Sequence, residues 1–279
     1  MENILLSVIT INYNDAKGLK KTMDSVVRQT WKGFEYLVID GGSTDESPAL
    51  IEAYQSDIAY SVSEKDNGIY NAMNKGIKAA KGKYLLFLNS GDYLVADTVF
   101  ENVFSSFTSD ADFICGNLYY EQAGKAVVKE HPEQMTFSYL VARTVYHPST
   151  FIKRALFDQY GLYNENNKIV SDWEFFFKAL GLNGASYKKL SQTITHFDMN
   201  GISSVHGEKV QEEKLRVFKN YLPYVFNNEN DRYIFDKFRE TNKRFRMLRE
   251  IDERPFFRKF TTFQLSATIM LMKLFEKRK

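Results

Sequence analysis

Cysteine is almost missing from this chain of 279 residues: Cys115 stands alone, which excludes an intrachain disulfide, a C-x-x-C redox pair and a multi-cysteine zinc site. That usage suits a reducing compartment. Proline and glycine are scarce, at five and fifteen residues, and no biased tract occurs, so collagenous, mucin-like and linker-rich organisations are excluded. The start lacks a long apolar run. Met1-Glu2-Asn3 brings no basic n-region, and Ser7, Thr10 and Asn12 interrupt the apolar stretch that follows, which fits neither a signal peptide nor a membrane span. The expectation is a cytoplasmic protein. The P-loop and dinucleotide glycine patterns are also missing, so a phosphate would have to be held by other means.

What is present is enough for a sizeable core: 44% of residues are hydrophobic, with 23 Phe, 17 Tyr and 2 Trp. The formal net charge of +2 hides an asymmetry, because Lys243 to Lys279 holds eleven Lys/Arg against four Asp/Glu and the body before it is mildly acidic. A phosphate-tracking surface needs clustered Lys/Arg, so nucleic acid is not an expected partner of the body.

The first third alternates strand and helix signals at short spacing, which predicts an α/β sheet with covering helices and mostly parallel pairing. Leu5 to Asn12, Phe34 to Asp40, Ile58 to Ser63 and Tyr84 to Asn89 read as strands, and Asp112 to Tyr120 as a fifth further on. Asn14 and Asp15 can cap a helix with Leu19, Met23, Val26 and Val27 on one face. Ser43 and Glu46 have the offset of a capping box opening a helix through Tyr54. Ile69 to Ala80 and Val170 to Leu180 complete the helical segments before a charged, helical stretch from about Lys209.

Ligands of open α/β sheets bind outside the carboxyl ends of the strands, and three of these strands end in polar residues. The first ends in Asn12-Tyr13-Asn14, the second in Asp40-Gly41-Gly42, the fourth in Asn89-Ser90-Gly91-Asp92. Tyr13 can stack on a planar base while Asp40 accepts from a ring N–H; turn formation and helix capping are the competing roles. Asp92 can hold Mg or Mn together with substrate phosphates, since such ions often take only one or two carboxylates, or it can cap the helix that follows.

The strings SVITINYN at 7 to 14, QT at 29 to 30, EYLVIDGGSTD at 35 to 45, DNGIYNAMNKGI at 66 to 77 and YLLFLNSGD at 84 to 92 together resemble the family 2 glycosyltransferases of the GT-A fold. HPSTF at 147 to 151 and SDWEF at 171 to 175 look like the acceptor half of bacterial members. The resemblance implies a Rossmann-like, mostly parallel central sheet with helices on both faces, plus a C-terminal helical segment. Residues 1–120 would form a nucleotide-sugar-binding half, 121–208 an acceptor-binding half, and 209–279 a basic amphipathic tail.

The implied activity is inverting transfer from a nucleotide diphosphate sugar, UDP-linked by family precedent, to a glycan or lipid-linked acceptor in polysaccharide biosynthesis, assisted by Mg or Mn. A nucleotide-sugar-binding partner protein without turnover is the alternative, and a nucleotidyltransferase ranks last. By position, Tyr13 and Asp40 contact the base, Asp66 and Asn74 line the donor cleft, and Asp92 is the metal ligand of a D-x-D-type turn whose other acidic positions hold Asn89 and Gly91. His196 in THFDMNGISS could add a metal or phosphate ligand, or be structural. Asp172 matches the general base, with an N-cap role compatible and Glu174 its rival. His147, before a proline, reads as extended and entering the acceptor side, where it lines the substrate cleft or, equally, forms a turn near the core.

In the tail, Phe256, Phe257, Phe260, Phe263, Leu265, Ile269, Met270 and Leu274 lie between basic flanks. They suit peripheral contact with the inner face of an anionic membrane, or packing on the domain or on a second subunit in a homodimer.

Overall fold

The computed structural model describes residues 4–105, 109–122, 124–199, 207–223, 254, 256–257, 260–264 and 266. The chain divides into two compact units, residues 1–214 and 215–279.

The first unit is built on a sheet of strands β1 (Leu6–Asn12), β2 (Phe34–Asp40), β3 (Tyr60–Ser63), β4 (Tyr84–Asn89), β5 (Tyr93–Leu94), β6 (Phe113–Gln122), β7 (Lys125–Lys129), β8 (Thr150–Lys153) and β9 (Tyr187–His196). Their order is β3-β2-β1-β4-β8-β6-β9-β5, with β7 on β6. The β3-β2-β1-β4 side is parallel throughout. Beyond it β8 runs antiparallel to β4 and β6, and β9 runs parallel to β6 and antiparallel to β5.

Every residue of β1 is buried, as expected for a strand covered on both faces. Alternation assigns the faces. Leu6, Val8, Tyr36 and Val38 pack with Leu19, Met23 and Val26 of helix α1 (Ala16–Val27) and Ile51 of α2 (Ser47–Ala53). Ile9 and Ile39 face α3 (Ile69–Ala79), where a methyl on Gly76 would stand 2.5 Å from Ile9 Cγ2, so only glycine allows that approach. Asp15 Oδ1 caps α1 by accepting the Gly18 N–H at 2.9 Å.

The expected strands at Phe34 and Tyr84 are observed with their expected bounds. Two local expectations differ. The proposed capping box does not form: Ser43 turns to Asp40 and to the N–H of Asn14, and α2 begins at Ser47. The His147-Pro148 segment is not extended; His147–Ser149 is a 3-10 turn, with proline near its start, where no N–H is required.

The remaining helices are α4 (Val99–Phe104), α5 (Phe137–Ala142), α6 (Ala155–Tyr160), α7 (Ser171–Phe176) and α8 (Gly207–Tyr221), with α7 continuing as a π-helix over Phe177–Leu182. Aromatics dominate this side: Phe157 stacks on Phe175, Trp173 on Phe177, and Phe113 meets Phe176 edge-on.

In the second unit the described residues 256–257, 260–264 and 266 are helical, and Phe256, Phe257, Phe260 and Phe263 are exposed. Leu265, Ile269, Met270 and Leu274 lie outside the described residues. Among the described residues no helix is long and apolar enough to cross a membrane.

Candidate active site

The parallel strands deliver their polar ends to one edge. Parallel register sets Asn12 beside Asp40, and Asn12 Nδ2 donates to Asp40 Oδ1 at 2.7 Å. Asp40 also accepts from the Ser43 hydroxyl (2.6 Å), the Ser43 N–H (2.9 Å) and the Ser63 hydroxyl (2.6 Å). Burial pushes its pKa up, but these donors outweigh burial and hold the carboxyl below its ordinary value. The side chain has 0% exposure, so Asp40 holds the loop from inside instead of presenting an oxygen to a base.

Tyr13 is 67% exposed at the same edge. Asp66 stands with it: a methyl on Gly41 would lie 2.6 Å from Asp66 Oδ2 and 3.3 Å from the Tyr13 ring. Asp66 Oδ1 accepts the Gly68 N–H at 2.9 Å, while Oδ2 faces Gly41. The half-buried carboxylate next to the exposed ring is therefore that of Asp66.

Asp92 sits in the turn after β4, buried, with Oδ1 accepting the Asp198 N–H at 2.9 Å. Gly91 makes the turn with φ +97°, and a methyl there would stand 2.6 Å from Asp198 Oδ2. Two carboxylates thus meet at one turn. Burial first, and then the charge of Asp198, raise the Asp92 pKa to about 7. In the same turn Asn89 Oδ1 is buried without a hydrogen bond. Sequence reasoning missed Asp198, although it lies two residues beyond His196.

His196 is not gathered with these acids, and among the described residues no group of three or more His, Cys, Asp and Glu is placed to hold a metal. The physical reason is pairing: β5 and β9 set Tyr93 opposite His196, and their rings stack with centroids 4.5 Å apart. Tyr119 closes edge-on at 4.9 Å, and Lys21 Nζ lies 4.1 Å over the other side of the stack, on Tyr93. Burial and the Lys21 charge lower the His196 pKa, and its Nδ1 is buried without a partner.

Asp172 begins α7 half-buried, and its Oδ1 accepts the Tyr70 hydroxyl at 2.8 Å. Tyr70 belongs to the first turn of α3, just after Asp66-Asn67-Gly68, so this bond joins the loop after β3 to the start of α7. Behind Asp172, His147 Nε2 and the Tyr163 hydroxyl are 2.8 Å apart, and His147 stacks on Phe87 of β4 at 4.7 Å. Burial lowers the His147 pKa to about 4 even though Asp172 acts to raise it, so the ring is neutral.

Glu174, the rival of Asp172, is buried, and its Oε2 accepts from Asn164 (3.1 Å) and Asn167 (2.6 Å), whereas Asp172 is half-buried. Asn74 is likewise occupied: it donates to the Tyr163 carbonyl and Glu165 Oε1, both at 2.9 Å, and accepts the Tyr163 N–H at 3.0 Å. It ties α3 to the loop before Asp172 and lines no open surface. A cavity of about 300 Å³ lined by Val26, Lys32, Phe34, Tyr36 and Ile58 lies at the opposite, amino end of β2, away from all of these residues.

The chain matches the family model described as Glycosyl transferase family 2 over residues 7–167. A PGL/p-HBAD biosynthesis glycosyltransferase of Mycobacterium bovis is 31% identical over 180 residues, spanning 61% of this chain and 68% of the relative. An uncharacterized glycosyltransferase of Mycobacterium tuberculosis is 48% identical over 88 residues, which is 31% of this chain and 34% of that one. Among solved structures, S. aureus TarS 1-349 in complex with UDP-GlcNAc superposes with TM-score 0.65 at 20% identity, covering 81% of this chain and 67% of that one. Against the longer TarS chain the coverage of that chain is 40%. The mannosyltransferase PcManGT from Pyrobaculum calidifontis, in complex with GDP-Man and Mn2+, gives 0.58 at 16% identity, over 78% of this chain and 64% of that one. At these identities the solved structures speak for the fold.

Proposed function

We propose, for a chain that belongs to glycosyl transferase family 2 and is a glycosyltransferase of glycan biosynthesis, inverting transfer from a nucleoside diphosphate sugar to a hydroxyl of a glycan or lipid-linked acceptor. The observation that carries the reading is the Tyr70–Asp172 hydrogen bond, which brings a carboxylate of the acceptor side against the donor-side loop. Residues 1–120 bind the donor and 121–208 the acceptor. Tyr13 stacks on the base and Asp66 accepts from it, while Asp40 and Asn74 shape the cleft from behind.

Asp172 takes the proton of the acceptor hydroxyl as that oxygen attacks the anomeric carbon. The bond from that carbon to the diphosphate breaks on the opposite face, so the configuration inverts and a nucleoside diphosphate leaves. The residues at the Asp92 turn fit a divalent cation that shares its shell with phosphate. Asp92 and Asp198 repel each other there, and Asn89 offers an unpartnered oxygen. Mg or Mn, when bound, would neutralise charge on the leaving diphosphate. UDP- and GDP-linked sugars are the first donors to test, since the neighbouring structures hold UDP-GlcNAc in one case and GDP-Man in the other.

The test is a thermal-shift panel of UDP- and GDP-sugars with and without Mn2+, followed by assay of nucleoside diphosphate release, because a ligand that binds only the folded state raises its melting temperature. A Mn2+-dependent shift with one donor and release of its diphosphate is expected. Release of pyrophosphate from a nucleoside triphosphate instead would sink the proposal. The exposed Phe256, Phe257, Phe260 and Phe263, beside Arg254, support a reading in which the tail contacts an anionic membrane. Association with anionic liposomes that weakens with salt and vanishes on deletion of 255–279 is expected; partitioning unchanged by the deletion refutes it.

A further inference from the structure

The turn that presents Asp172 is held by a pair of residues well beyond the part of the chain that matches the family model. On α8, Glu213 is buried, and its carboxylate accepts three successive backbone N–H groups: Lys168 on Oε1 at 2.9 Å, and Ile169 and Val170 on Oε2 at 2.9 and 3.1 Å. These are the three residues directly before Ser171-Asp172. The next residue of α8, Lys214, is also buried. Its ammonium lies 4.4 Å over the Trp173 ring and donates to the Arg143 carbonyl at 3.4 Å. Trp173, the neighbour of Asp172, is anchored in turn by its indole N–H on the Leu140 carbonyl at 2.7 Å. Burial lowers the Lys214 pKa to about 8, while the Asp172 charge acts to raise it.

We propose that Glu213 and Lys214 are positioning residues for Asp172: Glu213 fixes the backbone of the 168–170 turn, and Lys214 fixes the neighbouring Trp173. The proposal rests on Asp172 being the general base. Neither residue touches a reacting atom; both act through Asp172. A buried carboxylate spanning three consecutive amides leaves that turn little freedom, because releasing it would strand all three donors. A base must meet the acceptor hydroxyl at hydrogen-bond distance, so a displacement of about 1 Å transmitted from α8 can lower turnover on the order of 10²-fold.

The test uses the full chain with Mn2+ and either UDP-GlcNAc or GDP-Man, reading nucleoside diphosphate release, in Glu213→Gln, Lys214→Met, Asp172→Asn and the double variants. Glu213→Gln and Lys214→Met are expected to keep donor KM and the donor-dependent thermal shift within about twofold while kcat falls at least tenfold. On the Asp172→Asn background the same changes should cost almost nothing more, since a positioning residue loses its effect once the positioned group is gone. An equal fall on both backgrounds, or unchanged kcat, overturns the proposal.

Asp172→Asn with undiminished turnover would instead refute the reading of the base, which separates the two failures. Amide exchange supplies a readout independent of any donor. Residues 168–172 should exchange at least tenfold faster in Glu213→Gln, with 39–44 unchanged, and no difference at 168–172 also overturns the proposal. Should Glu213→Gln fail to fold, Lys214→Met carries the kinetic arms.

Discussion

The two sides of the cleft are assembled in different ways. On the proposed donor side, polar residues sit at the ends of parallel strands, and their partners come from the same few turns: Asp40 takes Asn12, Ser43 and Ser63. On the proposed acceptor side, Asp172 and the segment before it are held by bonds between segments far apart in sequence: Tyr70 from α3 on Asp172, Asn74 from α3 on Tyr163, and Glu213 from α8 on Val170. A site built from strand ends is rigid because the sheet is rigid. A site built from a loop must be pinned from several elements at once, and each pin is a place to lose catalysis without losing the donor.

The largest expected effect breaks the two sides apart. Asp172→Asn removes the base but keeps the size and the acceptor for Tyr70, so turnover should fall about 10²- to 10⁴-fold. Donor affinity, read as the Mn2+-dependent thermal shift, should stay as it was. A parallel loss of donor binding would mean that Asp172 belongs to the donor side.

Acid should separate the same two regions. His131 and His147, both on the proposed acceptor side, are buried, and their pKa values are lowered by that burial from 6.5 to about 4. Between pH 6.5 and 4 the unfolded chain therefore binds protons that the folded one refuses, and stability falls as pH falls. Asp92 opposes this: its pKa is raised to about 7, so the folded state binds the extra proton and gains stability on acidification. His196, whose pKa burial also lowers, adds to the histidine side, so the net effect in that window is a loss of stability as pH falls. Chemical denaturation at pH 7 and pH 5 checks the sign. His131→Gln should flatten the slope, and a slope unchanged in that variant would place the acid sensitivity elsewhere.

How much of this was legible in the sequence follows the same division. Strands β2 and β4 could be bounded to the residue because each is a short apolar run closed by turn formers. The two-residue β5, and β9 with its lysines and half-exposed faces, carry no such pattern and owe their existence to pairing with each other and with β6. Ser43 misled because a capping-box offset states only which bond is possible, and Asp40 outcompeted the helix for that hydroxyl. Asp198 and Glu213 were invisible because their partners lie 106 residues and more than 40 residues away, and no local spacing records such a meeting. Asp172 could be singled out by its place in SDWEF, but its bond to Tyr70 could not.

The smallest effects sharpen the contrast within the donor side itself, between a residue that shapes the cleft and one that faces it. Asp40→Asn sets an amide N–H₂ against donors that now converge on a carboxylate, so stability should fall by about 2–4 kcal/mol in urea titration. Any loss of donor affinity would then follow from the disordered loop. Tyr13→Ala should do the reverse. An exposed ring contributes little to folding, so stability should stay within about 0.5 kcal/mol. Its stacking on a base is worth roughly 1–3 kcal/mol, so donor affinity should fall about tenfold or somewhat more. Tyr13→Phe and Tyr13→Trp should restore that affinity, because the stack needs a flat face and not the hydroxyl. If Tyr13→Ala binds the donor like the native chain, the base does not lie on this ring, and the base-binding role passes to Asp66 alone.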